Sequence, residues 1–307
     1  MMLVLLVASA MSSASNPNLK IMSFYGMSFE EQKDWLTLAI ATPPSPLANQ
    51  FFGAGIPSIA ELPPEKVYKR DDPSVGGSSL LPGWEAFVES WITTTLQASI
   101  QNKTTVGVFI GDELCCHRTS CWASTLAPLS AKLKALLGDG MIVYANECGD
   151  SIAGGGMAHN HSVGPPIDKI APGLTHVSID LYAGFDPDHN SFDGAVEANE
   201  TGHFLRHYVF PRMQQGQLAL LVPGTFACSN FSYAPLDKSD ESVAAKMTAY
   251  MALAKSEPRI AGFNPWHFNH RSKPQSAGAC DMQLGASQLP KAMKVIKQIG
   301  QFIKKNQ

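Results

Sequence analysis

The sequence is poor in charge. Only 16% of its 307 residues are Asp, Glu, Lys or Arg, whereas an average soluble domain has about 25%. The net charge is −3, and no stripe of Lys and Arg runs along any segment. A nucleic-acid-binding surface needs such a basic stripe, so no nucleic-acid partner is predicted. The one basic cluster, Lys304-Lys305, is interpreted as the solvated end of a helix.

Long apolar runs and nucleotide-binding motifs are also missing. Beyond the N-terminus, no stretch reaches the roughly 18 apolar residues of a membrane span, so no membrane partner is predicted. Neither a strand followed by GxGxxG nor a GxxxxGK[ST] loop is present, which removes the two commonest nucleotide sites. Gly154-Gly155-Gly156 lacks the lysine of a phosphate loop. The sequence therefore predicts no cofactor and no metal.

The first residues, MMLVLLVASAMSSAS, combine the short apolar run 3–7 with small residues that fit a cleavage site. This pattern predicts a signal peptide over residues 1–14 and a secreted, extracellular protein, although no basic residue precedes the apolar run. A buried first strand is the alternative. Four N-x-[ST] acceptors add the expectation of a glycoprotein. They are Asn102, Asn160, Asn199 and Asn230.

The six cysteines are even in number, which in an oxidising compartment favours disulfides that pin loops. The adjacent residues Cys115 and Cys116 are then expected to bond to two different partners. A metal cluster that includes Cys121 is the alternative reading of the same spacing. The remaining cysteines are Cys148, Cys228 and Cys280.

Strand-like apolar runs alternate with helical stretches along the chain, which predicts parallel strands joined by helical crossovers. With one doubtful strand somewhere in the Pro/Gly/Ser-rich segment 56–81, the strands number eight. This pattern predicts an α/β fold, with a single (β/α)8 TIM-barrel domain over residues 15–307. The predicted strands are 20–26, 49–55, 104–113, 141–147, 175–182, 217–224 and 259–266, and the helices are 28–41, 82–101, 126–138, 240–256 and 289–305.

Polar residues end several of these strands. Side chains alternate along a strand, so Val106, Val108 and Ile110 should pack under the helices, while Glu113 reaches the barrel mouth with Asp112 beside it. Catalytic residues of such barrels lie at this carboxyl end. At any single position, a polar residue can also simply mark where a strand stops. The other candidates are Asp180 and Tyr182, with Tyr25, Tyr144, Asn146, Glu147, Asn264 and Trp266 as substrate-binding residues.

The strand ends resemble those of secreted TIM-barrel glycoside hydrolases. Gly111-Asp112-Glu113 is similar to the hexosaminidase arrangement, in which an Asp-Glu pair supplies an orienting carboxylate and a general acid. The segment 178–182 (SIDLY) and Trp266 resemble chitinase-type barrels, where Tyr and Asp hold the reacting sugar and Trp forms its floor. The resemblance implies a glycosidase that cleaves O-glycosidic bonds of an oligo- or polysaccharide.

The same resemblance implies roles for individual residues. Glu113 is the general acid, with a pKa raised by burial against Phe109 and by the charge of Asp112. Asp180 is the second carboxylate, acting as base, nucleophile or stabiliser. Tyr182 bonds the developing charge, and Trp266 with Tyr25 stacks on the sugar. The sugar, the linkage, the stereochemical course and the oligomeric state stay open.

The sequence also departs from the patterns it resembles. The chitinase signature D-x-x-D-x-D-x-E is absent, and no carboxylate ends the run 217–224. Asn146-Glu147 is an acid/base dipeptide familiar in the cellulase-like clan, but it lies on the predicted fifth strand.

Two other functions remain as alternatives. A non-catalytic carbohydrate-binding barrel would keep the fold and lose the acid. A metal-dependent hydrolase could use paired histidines, although no H-E-x-x-H motif is present. The histidine pairs are His203 with His207, His159 with His161, and His267 with His270.

Overall fold

A computed structural model describes residues 16–26, 28–71, 77–154, 164–181, 194–228, 236–269 and 283–307. They form two compact units. Unit 1 takes the described parts of 1–37, 181–203 and 220–307, and unit 2 those of 38–180 and 204–219. The prediction of a single domain over 15–307 stays a prediction.

The described strands alternate with helices, as the apolar pattern predicted. The strands are β1 (Ile21–Met22), β2 (Ala39–Ile40), β3 (Ser58–Glu61), β4 (Tyr68–Arg70), β5 (Ser78–Leu80), β6 (Thr105–Asp112), β7 (Ile142–Cys148), β8 (His176–Asp180), β9 (Leu218–Leu221), β10 (Ala227–Cys228), β11 (Ile260–Phe263) and β12 (Gln283–Leu284).

The helices of the described residues include those that the sequence predicted, although the predicted helix 28–41 is reduced to one turn, and four further helices were not predicted. They are α1 (Phe29–Gln32), α2 (Pro46–Gly53), α3 (Pro64–Val67), α4 (Trp84–Trp91), α5 (Gln97–Gln101), α6 (Ala127–Leu137), α7 (Gly149–Ala153), α8 (Gly194–Phe204), α9 (Leu236–Ser256) and α10 (Pro290–Lys305). π-Helical turns cover Ile92–Leu96, Trp122–Leu126 and Leu205–Val209, and 3₁₀ turns cover Phe210–Arg212 and Ala286–Gln288.

The main sheet of the described residues has eight strands, in the order β1-β11-β9-β8-β7-β6-β3-β2. In unit 2, β2, β3, β6, β7 and β8 pair in parallel, and the start of β9 adjoins β8 through a bond from Leu218 N to Thr175 O. In unit 1, the end of β9 adjoins β11, which pairs in parallel with β1. The α/β fold and its parallel sheet are confirmed, whereas the closure of a complete TIM barrel is not shown.

One predicted strand and the end of one predicted helix were wrong for local reasons. Residues 49–53 of the run 49–55 lie in helix α2. Ser45 caps the start of this helix by accepting a hydrogen bond from Ala48 N at 3.1 Å, and Pro46 is the first helical residue. The second strand is instead β2, inside the predicted helix 28–41. A short apolar run fits a buried strand and a buried helix equally well, so periodicity could not separate them.

Strand β3 fills the place that the sequence left open within 56–81. The predicted count of eight is therefore correct, with β6 as the fourth strand of the main sheet in chain order and β7 as the fifth. Asn146 and Glu147 thus lie on the fifth strand, as predicted.

Two predictions on processing and location fall partly outside the described residues. The predicted signal peptide, Asn160 and Asn230 lie outside them, whereas Asn102 and Asn199 are exposed acceptors on the surface. In the described part of the chain, no helix is long and apolar enough to cross a membrane.

Candidate functional site

The carboxyl ends of β3, β6, β7 and β8 bring together acidic side chains in unit 2. Strand β6 contains a bulge: Phe109 stands opposite Tyr144 and Asp112 opposite Asn146, so two residues of β6 face one of β7. A bulge shifts the side-chain alternation by one residue. Asp112, not Gly111, therefore shares the face of Phe109, which corrects the strict alternation that the sequence predicted.

The bulge depends on Gly111. A Cβ atom there would lie 2.5 Å from the hydroxyl oxygen of Tyr68, and the φ angle of +156° lies outside the range that other residues favour. Tyr68 is buried on the hairpin of β4 and β5, and it packs against the bulge. Burial raises the pKa of its phenol, so this hydroxyl stays protonated over the physiological range.

Glu113 follows the strand in a left-handed conformation, with φ of +54°. This conformation costs a non-glycine residue about 1 kcal/mol or more and persists only where the surroundings hold it. Its backbone N–H donates to Asn146 O at 2.8 Å, and the guanidinium of Arg70 donates to its carbonyl oxygen at 3.0 Å. Arg70 also donates to the carbonyl oxygen of Asp112 at 2.8 Å. These bonds fix the turn that presents the carboxyl group.

The Glu113 carboxyl is half-buried, with Oε1 3.3 Å from Sγ of Cys148. Burial raises its pKa first and the charge of Asp112 raises it further, while Arg70 and His117 act in the opposite direction. Both causes of the rise were expected from the sequence. A carboxyl with a raised pKa can hold a proton at a pH where an ordinary glutamate has lost it.

Asp112 is held by its neighbour on β7. Its Oδ1 accepts a hydrogen bond from Asn146 Nδ2 at 2.7 Å. Asn146 is fully buried, and its Oδ1 accepts from the hydroxyl of Ser178 on β8. Ser178 is in turn 2.6 Å from the hydroxyl of Tyr144. This chain of side chains joins three neighbouring strands.

Tyr144 is fully buried, and its ring stacks on that of Phe109 with centroids 4.9 Å apart. Tyr144 and Asn146 were both predicted to bind substrate. Both are fully buried and belong to the hydrogen-bonded chain that ends on Asp112, and substrate binding by them stays a prediction.

Glu147 lies on the opposite face of β7 and is fully buried. Its Oε2 accepts a hydrogen bond from Cys115 N at 2.9 Å, whereas its Oε1 is buried with no hydrogen-bond partner among the described residues. Burial raises its pKa well above the ordinary value, and the charges of Glu113 and Asp112 add to the rise. The neutral form of Glu147 is therefore favoured more than in an exposed glutamate, and its Oε2 holds the loop after β6 through Cys115.

Two disulfides fix this loop. Cys115 bonds to Cys121 and Cys116 to Cys148, so the adjacent cysteines have different partners, as predicted. Cys280 and the side chain of Cys228 lie outside the described residues. In the described part of the chain, one group of three side chains could hold a metal: Glu113, Cys116 and Cys148. Because both sulfurs are in a disulfide, only the carboxylate remains as a ligand.

A histidine of the same loop was missed by the sequence analysis. The half-exposed ring of His117 lies with Nδ1 2.5 Å from Oδ2 of Asp150, and its backbone has φ of +62°. A carboxylate at one ring nitrogen orients the other. His117 and Asp150 are 33 residues apart in the sequence, so no local sequence pattern could indicate this pair. Arg70 was missed because the hairpin of β4 and β5 lies in the segment 56–81, where the sequence predicted one strand without placing it at particular residues.

Two more acidic residues border this group. Glu61 ends β3, where desolvation and the charge of Asp112 raise its pKa. Asp180 ends β8 in register with Cys148 and is half-buried. Tyr182, predicted beside it, lies outside the described residues.

The other predicted residues belong to unit 1. The rings of Tyr25 and Trp266 meet edge to face with centroids 5.0 Å apart. The carbonyl oxygen of Trp266 accepts from the backbone N–H of Thr225 at 2.5 Å and from its hydroxyl at 3.0 Å. Asn264 is fully buried after β11. Thr225 thus fixes the backbone beside the aromatic pair.

The predicted histidine pairs do not assemble in the described residues. His203 and His207 are exposed, His267 is buried, and the others lie outside the described part. A separate cleft of about 790 Å³ opens in unit 2, and Trp122, Ile170 and Gln214 are among its lining residues. None of the predicted site residues lines it.

No protein-family model matches the sequence, and no curated protein matches it. Solved structures share its fold. A β-D-glucuronidase of Dictyoglomus thermophilum has a TM-score of 0.61 at 10% identity, covering 92% of this chain and 50% of that one. A GH2 β-galacturonidase from Eisenbergiella tayi, bound to galacturonate, has a TM-score of 0.54 at 12% identity, covering 92% and 51%. A glucosidase from Croceicoccus marinus has a TM-score of 0.51 at 10% identity, covering 94% and 68%.

These neighbours are glycosidases, and the chain spans about half the length of the first two. At such low identity, the likeness shows a shared fold. The chemistry must be argued from the residues themselves.

Proposed function

We propose that this chain is a glycoside hydrolase that cleaves O-glycosidic bonds of an oligo- or polysaccharide, with Glu113 as its general acid. The observation that carries the proposal is the Glu113 carboxyl. It is half-buried at the carboxyl end of a parallel strand, and its pKa is raised by burial and by Asp112. Strand ends of this kind are where parallel α/β folds place their chemistry. The glycosidase neighbours are consistent with the proposal.

The reaction begins with the proton that Glu113 holds. Glu113 donates it to the glycosidic oxygen as the bond between that oxygen and the anomeric carbon breaks. Positive charge develops on the sugar ring, and a second carboxylate stabilises it or attacks it. A water molecule finally supplies the hydroxyl group of the product, and its remaining proton restores the acid.

Asp180 is proposed as the second carboxylate because it ends the strand that pairs with β7, in register with Cys148. Cys148 Sγ is the atom in contact with Oε1 of Glu113. Asp112 keeps the orienting role, since Asn146 fixes one of its oxygens. Tyr182 remains proposed as the donor to the developing charge, and Tyr25 with Trp266 as the stacking surface for a sugar.

The test is hydrolysis of aryl glycosides and polysaccharides by the wild type, Glu113→Gln and a control. The control is Glu65→Gln, which removes an exposed carboxylate at the start of α3. Glu113→Gln should lose about 10²- to 10⁴-fold in kcat/KM, because general acid catalysis contributes that much. Glu65→Gln should keep wild-type rates, and circular dichroism should show that all three proteins are folded.

Other outcomes point elsewhere. If Glu113→Gln retains activity, the acid is not Glu113, and Glu147 is the next residue to replace. If the wild type binds a glycan and cleaves none, the protein is a carbohydrate-binding barrel without catalysis. The metal-dependent alternative has less support, because the three-ligand group of the described residues contains a disulfide.

Secretion is part of the proposal. The two disulfides are consistent with an oxidising compartment, where such bonds persist. Expression of the full chain in a secreting host tests it. Medium containing a protein cleaved near residue 14 would support secretion, and retention of the uncleaved chain inside cells would contradict it.

A further inference from the structure

The carboxyl group of Glu113 touches a disulfide. Its Oε1 lies 3.3 Å from Sγ of Cys148, and that sulfur is bonded to Cys116. A disulfide sulfur carries no hydrogen, so in the oxidised protein Cys148 is at most a weak acceptor toward Glu113. A thiol at the same position has an S–H group that can donate to Oε1. The two redox states of Cys148 therefore offer Glu113 opposite hydrogen-bonding partners.

The two disulfides of the described residues differ in their access to solvent. Cys115 and Cys121 have no exposed surface. By contrast, Cys116 keeps 7% of its surface exposed, and Cys148 is only half-buried. Thiol–disulfide exchange requires that an attacking thiolate reach a sulfur atom. A small dithiol should therefore open the bond between Cys116 and Cys148 before the buried one.

The exchange moves two electrons from the dithiol to the protein. A thiolate of the dithiol attacks Sγ of Cys148, and the electron pair of the S–S bond goes to Cys116, which takes up a proton. The second thiolate of the dithiol then attacks the mixed disulfide. Cys148 leaves and takes up a proton, and the dithiol is oxidised to a cyclic disulfide.

Other bonds hold both sides of the contact when this disulfide opens. Cys148 is the last residue of β7, which stays paired with β8. The loop of Cys116 remains held by the second disulfide and by the hydrogen bond from Gly77 N to Cys116 O at 2.9 Å. Cys115 N also remains bonded to Oε2 of Glu147 at 2.9 Å. Reduction should therefore add a hydrogen at Cys148 while the local backbone stays in place.

A hydrogen bond donated to a carboxylate stabilises its ionised form, so the carboxyl loses its proton more readily. The charged and titratable groups that act on Glu113 from the neighbouring elements are the same in both redox states. In the described part of the chain they are Asp112, Arg70, His117, Asp150 and Glu147. The difference between the two states therefore comes from the sulfur beside Oε1.

We propose that the disulfide between Cys116 and Cys148 is a redox switch on Glu113. In the oxidised protein, the sulfur beside Oε1 has no hydrogen to donate, and Glu113 keeps its proton. After reduction by a dithiol, the Cys148 thiol donates to Oε1, and Glu113 gives up its proton at a lower pH. The effect on catalysis rests on the proposed function of Glu113 as the general acid, whereas the change in its ionisation does not.

The first experiment compares the oxidised wild type with the wild type reduced by dithiothreitol. The pH dependence of kcat/KM is measured on the glycoside that the hydrolysis panel identifies as a substrate. Reduction should move the alkaline limb to lower pH by about half a unit to one unit, as expected for one bond from a weak donor. Thiol labelling with mass spectrometry identifies the cysteines that were reduced, and circular dichroism checks that the protein stays folded.

Two variants separate the S–H group from the loss of the cross-link. Cys116→Ala and Cys148→Ala both remove the disulfide, but only Cys116→Ala leaves a thiol beside Glu113. The alkaline limb of Cys116→Ala should match that of the reduced wild type, whereas that of Cys148→Ala should match the oxidised protein. An equal shift in both variants would show that the cross-link acts through the loop, and it would overturn the proposal. The absence of a shift in either would do the same.

A readout without turnover separates failure of this inference from failure of the proposed function. Carbon-13 NMR follows the titration of the Glu side-chain carboxyls in the oxidised and reduced wild type, and the signal missing from Glu113→Gln belongs to Glu113. A lower midpoint after reduction in a protein that cleaves no glycoside would support the switch and refute the glycosidase. An unchanged midpoint in an active glycosidase would overturn the switch and leave the proposed function standing.

Discussion

Glu147 in unit 2 and Glu197 in unit 1 are both almost completely buried, and burial raises the pKa of both carboxyls. Their partners are opposite in kind. Glu197 forms an ion pair with Lys246 at 2.5 Å and accepts a hydrogen bond from the hydroxyl of Tyr250 at 3.1 Å. Glu147 receives one hydrogen bond from a backbone N–H and is repelled by Glu113 and Asp112.

The Glu197 pair has a structural task that the contacts explain. Lys246 also donates to the carbonyl oxygen of Gly224 at 3.1 Å, and Gly224 donates its N–H to Glu197. The pair therefore holds Gly224 from both sides, immediately before Thr225 fixes the carbonyl oxygen of Trp266. Satisfied opposite charges hold a segment of chain in place.

Around Glu147, by contrast, the neighbouring side chains are carboxyls that repel its charge instead of pairing with it. Like charges lie near Glu147, and among the described residues its Oε1 has no hydrogen-bond partner, a combination that is common where a protein performs chemistry. The same residue type is thus charge-matched where it holds the Gly224 segment and opposed by like charges beside the proposed acid Glu113.

The largest effect should follow from breaking the matched pair. Lys246→Met leaves Glu197 buried without its cation, and it should lower the free energy of unfolding by about 3–5 kcal/mol, the usual cost of one unpaired buried charge. Urea denaturation at pH 7 measures this. The double variant Lys246→Met/Glu197→Gln should recover part of the loss, because no charge is then left behind.

The matched control is an exposed ion pair of the same unit. Lys291 lies 2.5 Å from Glu241, and both side chains are largely in solvent. Lys291→Met should cost less than about 1 kcal/mol. Equal losses for Lys246→Met and Lys291→Met would refute the distinction between the two pairs.

A second effect concerns how stability changes with pH. Because the pKa of Glu147 is raised in the folded protein, the folded state holds this proton after the unfolded chain has released it. The stabilisation of the folded state by the Glu147 proton is complete below the unfolded pKa of about 4.3. This stabilisation is lost as the pH rises from there through the folded pKa. The Gln side chain of Glu147→Gln does not titrate. The free energy of unfolding of this variant should therefore not show the part of the decrease with rising pH that Glu147 causes.

Urea unfolding of the wild type and Glu147→Gln between pH 4 and pH 8 tests this prediction. The two curves should diverge with rising pH by up to about 1.4 kcal/mol per pH unit within the window, with the variant as the more stable protein. Curves that stay parallel would mean that Glu147 ionises as an ordinary glutamate does.

The smallest effect should be a shift in the pH dependence of activity. Asp112 raises the pKa of Glu113, so Asp112→Asn should lower that pKa while Asn keeps an oxygen to accept from Asn146. Because Glu113 is proposed to act as a protonated acid, the alkaline limb of kcat/KM should move to lower pH. A limb that stays in place would show that Asp112 does not act on the acid through its charge.

Local patterns in the sequence were enough to predict much of the fold. The apolar runs identified β6, β7 and β8 and placed Asp112, Glu113 and Asp180 near their ends, because a strand's side chains alternate whatever surrounds it. Helices α9 and α10 were found in the same way. The short strands β2 and β3 were not, since two to four residues carry too little periodicity.

The site itself needed contacts between distant segments. The bulge in β6 depends on its register against β7 and on the hydroxyl of Tyr68, and no single strand contains that information. The same holds for Arg70 on the turn of Glu113, for His117 with Asp150, and for the pairing of Cys116 with Cys148. The sequence alone determined which residues could ionise and, for β6, β7 and β8, roughly where the strand would end. Only the tertiary structure decided which charges face one another, because burial and the distance between charges set the pKa of each carboxyl.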